Sequence, residues 1–294
     1  MSVTSEEIKS KLQSFGFGRG SKIMVHSSLS SFGRIEGGAE TVIKALMELV
    51  GPEGTILMPS FNHGAPFSPS GAGIYDPKKT PCINGRIPDT FWRMEGVYRS
   101  LNPTHPFASY GRDAERYTRN HHLTLTMGED SPLGLIALEG GYQLNLGTKH
   151  HATTAKHVAE TINRSPCLGY RTEAYPVRLP DGNSSVAQRN VVVMHRTWGW
   201  RERGCPLTDS GEYIEIEMEK RKLQKKGYIG KSLVTYFKIL NLLNVILDML
   251  DNGYAGHPPC SECPIRPGIT GVTCASDWEE KGDVRALKAQ IKEK

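Results

Sequence analysis

A short apolar run, Lys22-Ile-Met-Val25, gives way at once to a loop of hydroxyls and glycines, His26-Ser-Ser-Leu-Ser-Ser-Phe-Gly33 with Arg34-Ile-Glu-Gly-Gly38. A helical pattern over 39–50 and a second apolar run, Thr55-Ile-Leu-Met58, follow. Strand, loop, helix and strand in that order predict a parallel pair, because a crossover helix returns the second strand alongside the first. The chain is therefore expected to be α/β, with a central mixed sheet flanked by helices. The loop lies at the carboxyl end of a parallel strand, where backbone amides at Gly33, Gly37 and Gly38, serine hydroxyls and the Arg34 guanidinium suit a phosphate-bearing ligand. The same residues also suit a polar turn and helix cap, and the Gly-Lys-Ser/Thr ending of a P-loop is missing.

The rest of the chain continues the mixed pattern. Thr4 and Glu7 form a capping box ahead of Ile8, Leu12 and Phe15 at helical spacing. Residues 59–88 are rich in Gly, Pro, Ser and Asn and read as a long surface excursion, a class of loop that often carries function. Helices are expected near 113–117, 132–138 and from Thr153, with a strand at 142–146. Strands near 170–179 and 188–195, divided by Pro180-Asp-Gly182, predict an antiparallel hairpin or meander. From about 211 the chain reads as helical, over 213–226 and 232–250, before a Cys- and Pro-rich tail at 254–294. No composition break divides the sequence, so a single domain over 1–294 is expected.

Composition narrows the classes of function. With 38% hydrophobic and 23% charged residues and a net charge of +5, the chain reads as an ordinary globular protein. Its basic residues are dispersed apart from Lys220-Arg-Lys-Leu-Gln-Lys-Lys226, so no nucleic-acid partner is expected. The amino terminus lacks a charged-then-apolar signal, which implies a cytoplasmic location. The apolar stretch 233–250 is interrupted by Lys238, Asn241, Asn244 and Asp248, a packed amphipathic helix in place of a membrane span. His257, Cys260, Cys263 and Cys274 supply four zinc donors with a C-x-x-C pair, the spacing of a structural zinc site. Plain loop cysteines are the other reading.

His157 and Glu160 stand three residues apart on the helix after the 142–146 strand, so they share one face. A glutamate there can fix the imidazole tautomer and stabilise its protonated form, which is the wiring of a general base. The spacing also fits a capping histidine beside a solvated charge. Two further classes stay open on the residues alone. His121, His122, His150, His151 and His157 with Glu160 could form a metal-dependent hydrolase centre, and the early loop could belong to a non-catalytic coenzyme-binding module.

Several segments taken in order favour one reading over these alternatives. Val25-His-Ser-Ser-Leu-Ser-Ser-Phe-Gly33 with Glu36-Gly-Gly38, Gly54-Thr-Ile-Leu-Met-Pro59, Asp76-Pro-Lys-Lys-Thr-Pro81 with Asn84-Gly85, and Arg99-Ser…His105-Pro…Ser109 come first. Ser131-Pro-Leu133, Leu146-Gly147 leading to Thr154-x-x-His157-x-x-Glu160, and Gly227-Tyr-Ile-Gly230 complete the series. In this order and spacing the chain resembles the aminoglycoside 3-N-acetyltransferase family.

The resemblance implies the antibiotic N-acetyltransferase fold and acetyl-CoA as cosubstrate. Ser28, Leu29, Phe32, Gly33, Arg34 and Ile35 would contact the coenzyme, with Arg99, His105 and Ser109 as the partner segment. His157 matches the family's catalytic histidine, with Glu160 as its orienting acid. An amine is protonated near neutral pH and must lose a proton before it attacks a thioester, a task for His157, with direct transfer and no acyl-enzyme. The acceptor implied is an amino sugar, either an aminoglycoside or a glycan or natural-product precursor, bound by a monomer or homodimer. One departure bears on it. Where antibiotic-modifying members often carry an acidic pair, this chain has His195-Arg-Thr-Trp-Gly-Trp-Arg-Glu-Arg-Gly-Cys205, basic and aromatic. Glu202, Asp209 and the earlier Asp76 are the candidate acceptor-side carboxylates, and an acceptor with fewer positive charges, or one bearing phosphate or nucleotide, would suit the segment better. Trp198 and Trp200 could stack on a sugar ring.

Overall fold

Thr4 caps the first helix as its sequence predicts, its hydroxyl accepting from the Glu7 amide at 3.2 Å. The computed structural model describes residues 2–62, 73–165, 167–179, 185–196, 205–263 and 273–274, with backbone alone for 168–173, 188–196 and 273–274. In chain order these fold into α1 (Ser5–Ser14), β1 (Lys22–Ser27), α2 (Gly38–Val50), β2 (Thr55–Pro59), α3 (Arg86–Phe91), β3 (Val97–Arg99) and β4 (Phe107–Gly111). There follow α4 (Ala114–Thr118), α5 (Pro132–Leu138), β5 (Tyr142–Leu146), α6 (Lys156–Ile162), β6 (Leu168–Arg178) and β7 (Val186–Arg196). Last come α7 (Gly211–Lys220), β8 (Lys225–Ile229), β9 (Ser232–Lys238), α8 (Ile239–Asn252) and the short β10 (Thr273–Cys274).

The predicted parallel pair is the centre of a seven-stranded mixed sheet ordered β3-β4-β2-β1-β5-β9-β8. β1 runs parallel to both β2 and β5, and the outer strands are antiparallel. β6 and β7 form the expected hairpin, joined by β10 in a separate three-stranded sheet. Alternation along β1 divides the core between the two faces of the large sheet. Ile23 and Val25 pack with Ile8, Leu12, Val42, Ile43 and Leu46 from α1 and α2. Met24, on the opposite face, packs with Leu133, Ile136, Val158, Leu242 and Ile246 from α5, α6 and α8.

Two expectations fail locally. The segment read as helical from about 211 holds a β-hairpin: α7 ends at Lys220, and β8 and β9 precede the last helix. β9 extends the sheet beside β5 over the register Tyr142↔Lys238 to Leu146↔Val234, and its β-branched and aromatic residues fit that half-buried surface. Gly230, with φ +56°, opens the two-residue turn between the strands, a conformation glycine adopts without steric penalty. Within the stretch read as loop, α3 lies at its end, and just beyond it β3 and β4 close the sheet edge. Among the described residues no helix is long and apolar enough to cross a membrane.

Candidate active site

The carboxyl ends of β1 and β5 bring the early loop against the segment that leads into α6. Their parallel register sets His26 beside Asn145 and Ser27 beside Leu146. The chain then leaves β1 with the Ser28 amide donating to the Leu146 carbonyl at 2.8 Å. Ser31 Oγ donates to the Ser28 carbonyl at 2.7 Å and lies 2.8 Å from Ser232 Oγ on β9. Gly147 sits directly beneath this turn with φ +71°, and a Cβ there would overlap Ser31 Oγ. Only glycine allows the two loops to meet. Ser28 Oγ is 3.2 Å from Ser30 Oγ. Ser30, Gly33 and Arg34 are exposed, Leu29 and Ile35 are half-buried, and Phe32 is buried in the core with α1 and α2. The coenzyme-binding surface expected of 28–35 is thus available from its hydroxyls, Gly33 and Arg34, while Phe32 anchors the loop.

A buried polar chain fixes where α6 begins. Gln143 Nε2 donates to His26 Nδ1 at 2.7 Å and to Asn145 Oδ1 at 2.9 Å, and Asn145 Nδ2 reaches Thr153 Oγ1 at 3.2 Å. With Nδ1 accepting, His26 presents Nε2–H to Thr154 Oγ1 at 3.3 Å. Burial pushes the His26 imidazole down to about 3, so it stays neutral. His26 therefore holds the segment that leads into α6.

On α6, His157 Nδ1 and Glu160 Oε2 are 2.8 Å apart. The carboxylate side chain is 1% exposed and the imidazole 24% exposed, so the acid is buried behind a ring that reaches the surface. A carboxylate at Nδ1 holds the proton there and leaves Nε2 as the outward acceptor. Thr208 Oγ1 donates to the other carboxylate oxygen, Oε1. Beside it, Lys156 Nζ pairs with Asp209 Oδ1 at 2.9 Å, and Asp209 Oδ2 accepts from the Cys205 amide at 2.8 Å. Asp209, expected among the acceptor-side carboxylates, is thus tied to Lys156 and to its own turn.

The second expected segment is placed at the same end of the sheet, but its side chains are engaged in holding the chain. The Arg99 guanidinium donates to the carbonyls of Thr80 at 2.5 Å, Pro77 at 3.4 Å and Ser60 at 3.1 Å, and stacks 4.3 Å from the Trp92 ring. It ties down the excursion after β2. Ser109 is fully buried on β4 and donates to the Ile56 carbonyl at 2.8 Å. His105, half-buried, packs edge-on to Phe61 at 5.0 Å with Nδ1 3.0 Å from Thr104 Oγ1. Asp76 accepts from the Lys78 amide at 2.9 Å and pairs with Arg178 at 3.2 Å. Of these, His105 keeps a partly exposed ring at the site end. Trp198, Trp200 and Glu202 lie outside the described residues.

Two of the histidines weighed as metal ligands are engaged elsewhere. Both nitrogens of the buried His121 are engaged, by Ser100 Oγ at 2.9 Å and the Thr126 carbonyl at 2.9 Å, and His150 Nε2 meets Gln224 Oε1 at 2.5 Å. The expected zinc site does not form among the described residues. Cys260 Sγ donates to Ser165 Oγ at 3.8 Å, and burial pushes its thiol up to about 11. Among the described residues no group of three or more His, Cys, Asp or Glu could hold a metal, and the Cys274 side chain lies outside them.

Gln143, Asn145, Lys156 and Thr208 were not singled out from the sequence. Gln143 and Asn145 left a trace, as alternate polar residues in an otherwise apolar strand; Thr208 left none.

Known proteins share this fold. The family model described as aminoglycoside 3-N-acetyltransferase matches residues 24–251. Aminoglycoside N(3)-acetyltransferase IV from Salmonella sp is 33% identical over 278 residues, covering 92% of this chain and 96% of that protein. Aminoglycoside N(3)-acetyltransferase VII from Streptomyces paromomycinus is 32% identical over 244 residues, covering 78% and 84%. A solved structure of aminoglycoside acetyltransferase AAC(3)-IVa, a histidine-to-alanine mutant in complex with a gentamicin, superposes with a TM-score of 0.70 at 25% identity, covering 90% of this chain and 96% of that one. The chain belongs to the aminoglycoside 3-N-acetyltransferase family.

Proposed function

We propose that this protein transfers the acetyl group of acetyl-CoA directly to an amino group of an amino sugar, with His157 as general base and Glu160 as the acid that orients it. The observation that carries this reading is the partly exposed His157 ring backed at 2.8 Å by a carboxylate that is 1% exposed. An ammonium has no lone pair. His157 Nε2 accepts its proton, the freed amine attacks the thioester carbonyl, and the tetrahedral intermediate collapses as the C–S bond breaks, the second nitrogen proton leaving with the coenzyme thiolate as free thiol. Glu160 stabilises the imidazolium formed in that step. The Ser28 and Ser30 hydroxyls, the Gly33 backbone and Arg34 offer donors to the coenzyme at the carboxyl end of β1.

The gentamicin complex of AAC(3)-IVa supports an amino-sugar acceptor for this chain as well. Asp76 and Asp209 are engaged in ion pairs, which favours an acceptor with fewer amino groups than a heavily cationic aminoglycoside. The test is thiol release from acetyl-CoA across a panel of amino sugars of graded charge, gentamicin included. Release that depends on an added amino sugar is expected; no release with any of them contradicts the reading.

A further inference from the structure

The 205–209 turn is locked in place. Cys205 and Leu207 are buried with α6, α7 and α8, and the turn closes on itself through the Asp209 amide to the Cys205 carbonyl at 2.9 Å. Two successive side chains then reach α6: Thr208 to Glu160 and Asp209 to Lys156. Thr208 has no exposed surface, so its hydroxyl is not a substrate contact.

We propose that Thr208 is a positioning residue of the His157–Glu160 pair, its hydroxyl holding the Glu160 carboxylate ionised and turned toward the imidazole. The proposal rests on the acetyl-transfer reading for its consequence in catalysis, but the geometry stands without it. A general base must be neutral before it acts. In that state Glu160 carries its charge in the interior with no imidazolium to balance it, and a hydroxyl donated to Oε1 lowers that cost while leaving Oε2 to His157. Threonine suits the task because its β-branch restricts the rotamers of the hydroxyl-bearing carbon.

Removing the hydroxyl has a definite direction. A less stabilised carboxylate makes the pair hold its shared proton to higher pH, whichever member carries it. Among the described residues, several other titratable groups on the surrounding elements are paired or neutral. Lys156 and Asp209 pair with each other, His26 on β1 is kept neutral by burial, and Cys260 beyond the turn stays a thiol. On α8, which packs against α6, Asp248 is paired with Arg221, and Asp251 is exposed.

The experiment compares wild type with T208V, which replaces the hydroxyl by a methyl of similar size, and T208S, which keeps the hydroxyl. Two readouts are taken: the acid limb of the kcat/KM profile with acetyl-CoA and an amino sugar, and the midpoint of the His157 imidazole resonances in a pH titration without substrate. From the strength of a hydrogen bond to a charged group, T208V is expected to move both upward by about one pH unit, with turnover near neutral pH falling about tenfold. T208S is expected to leave both in place. T208A substitutes for T208V if the latter does not fold, with the same expectation. Unmoved limb and midpoint in the variants lacking the hydroxyl, or equal shifts in T208S, overturn the proposal. A wild type without acetyl transfer would count against the proposed function alone, because the imidazole titration still decides the role of Thr208.

Discussion

His157 Nδ1 lies 2.8 Å from Glu160 Oε2, within a single turn of α6, and the buried acid faces a ring that opens to the surface. The arrangement fixes which nitrogen is free to take a proton. Glu160→Gln presents either an oxygen or an NH2 to Nδ1 and lets the wrong tautomer form. A loss of about 10²-fold or more in kcat is expected, with KM for acetyl-CoA within twofold, since loss of general-base catalysis is of that order. Steady-state kinetics check it, and a fall in coenzyme affinity instead would point to a structural role.

Lys156 and Asp209 test how the 205–209 turn is held. Asp209→Asn leaves the Lys156 ammonium, 8% exposed, without its partner at 2.9 Å. A loss of about 2 kcal/mol is expected, below the range for fully buried pairs because Asp209 is partly exposed. Adding Lys156→Met should recover part of it. Urea denaturation measures both, and an unchanged midpoint in Asp209→Asn would remove the clamp from the account.

Stability should also fall in mild acid. The His26 and His121 imidazoles are pushed down to about 3 and about 4 by burial, from an ordinary 6.5. Below pH 6.5 the unfolded chain binds protons that the folded one refuses, so the unfolded state gains as pH drops toward those values. At pH 5 the loss is about 2 kcal/mol for each group relative to pH 7.5. In His121→Gln the fall between these two conditions should be smaller by about that amount, as read by urea denaturation at each pH. A variant with the wild-type slope contradicts the buried neutral assignment.

Much of this site was legible because its residues are close in sequence. The βαβ order from Lys22 to Met58 fixed the parallel strands, and the His157–Glu160 spacing needs only one helical turn to become a contact. What escaped depends on distance along the chain. Thr208 meets Glu160 across 48 residues, and Gln143 meets His26 across 117, so no local pattern announces either pair. Ser232–Lys238 was read as helix because its apolar residues run on into α8; pairing with β5 overrides that propensity. Arg99 and Ser109 donate to backbone carbonyls far along the chain, which no local pattern announces, since a sequence shows that a donor is present but not which carbonyl already holds it.

The central claim is that His157 removes the proton from the acceptor amine, and the most direct measurement is thiol release by His157→Ala beside a binding isotherm for the coenzyme. The account predicts turnover reduced by about 10²- to 10⁴-fold, with coenzyme affinity unchanged, because the early loop that would hold the coenzyme does not depend on the imidazole. Turnover within a few-fold of wild type would contradict it.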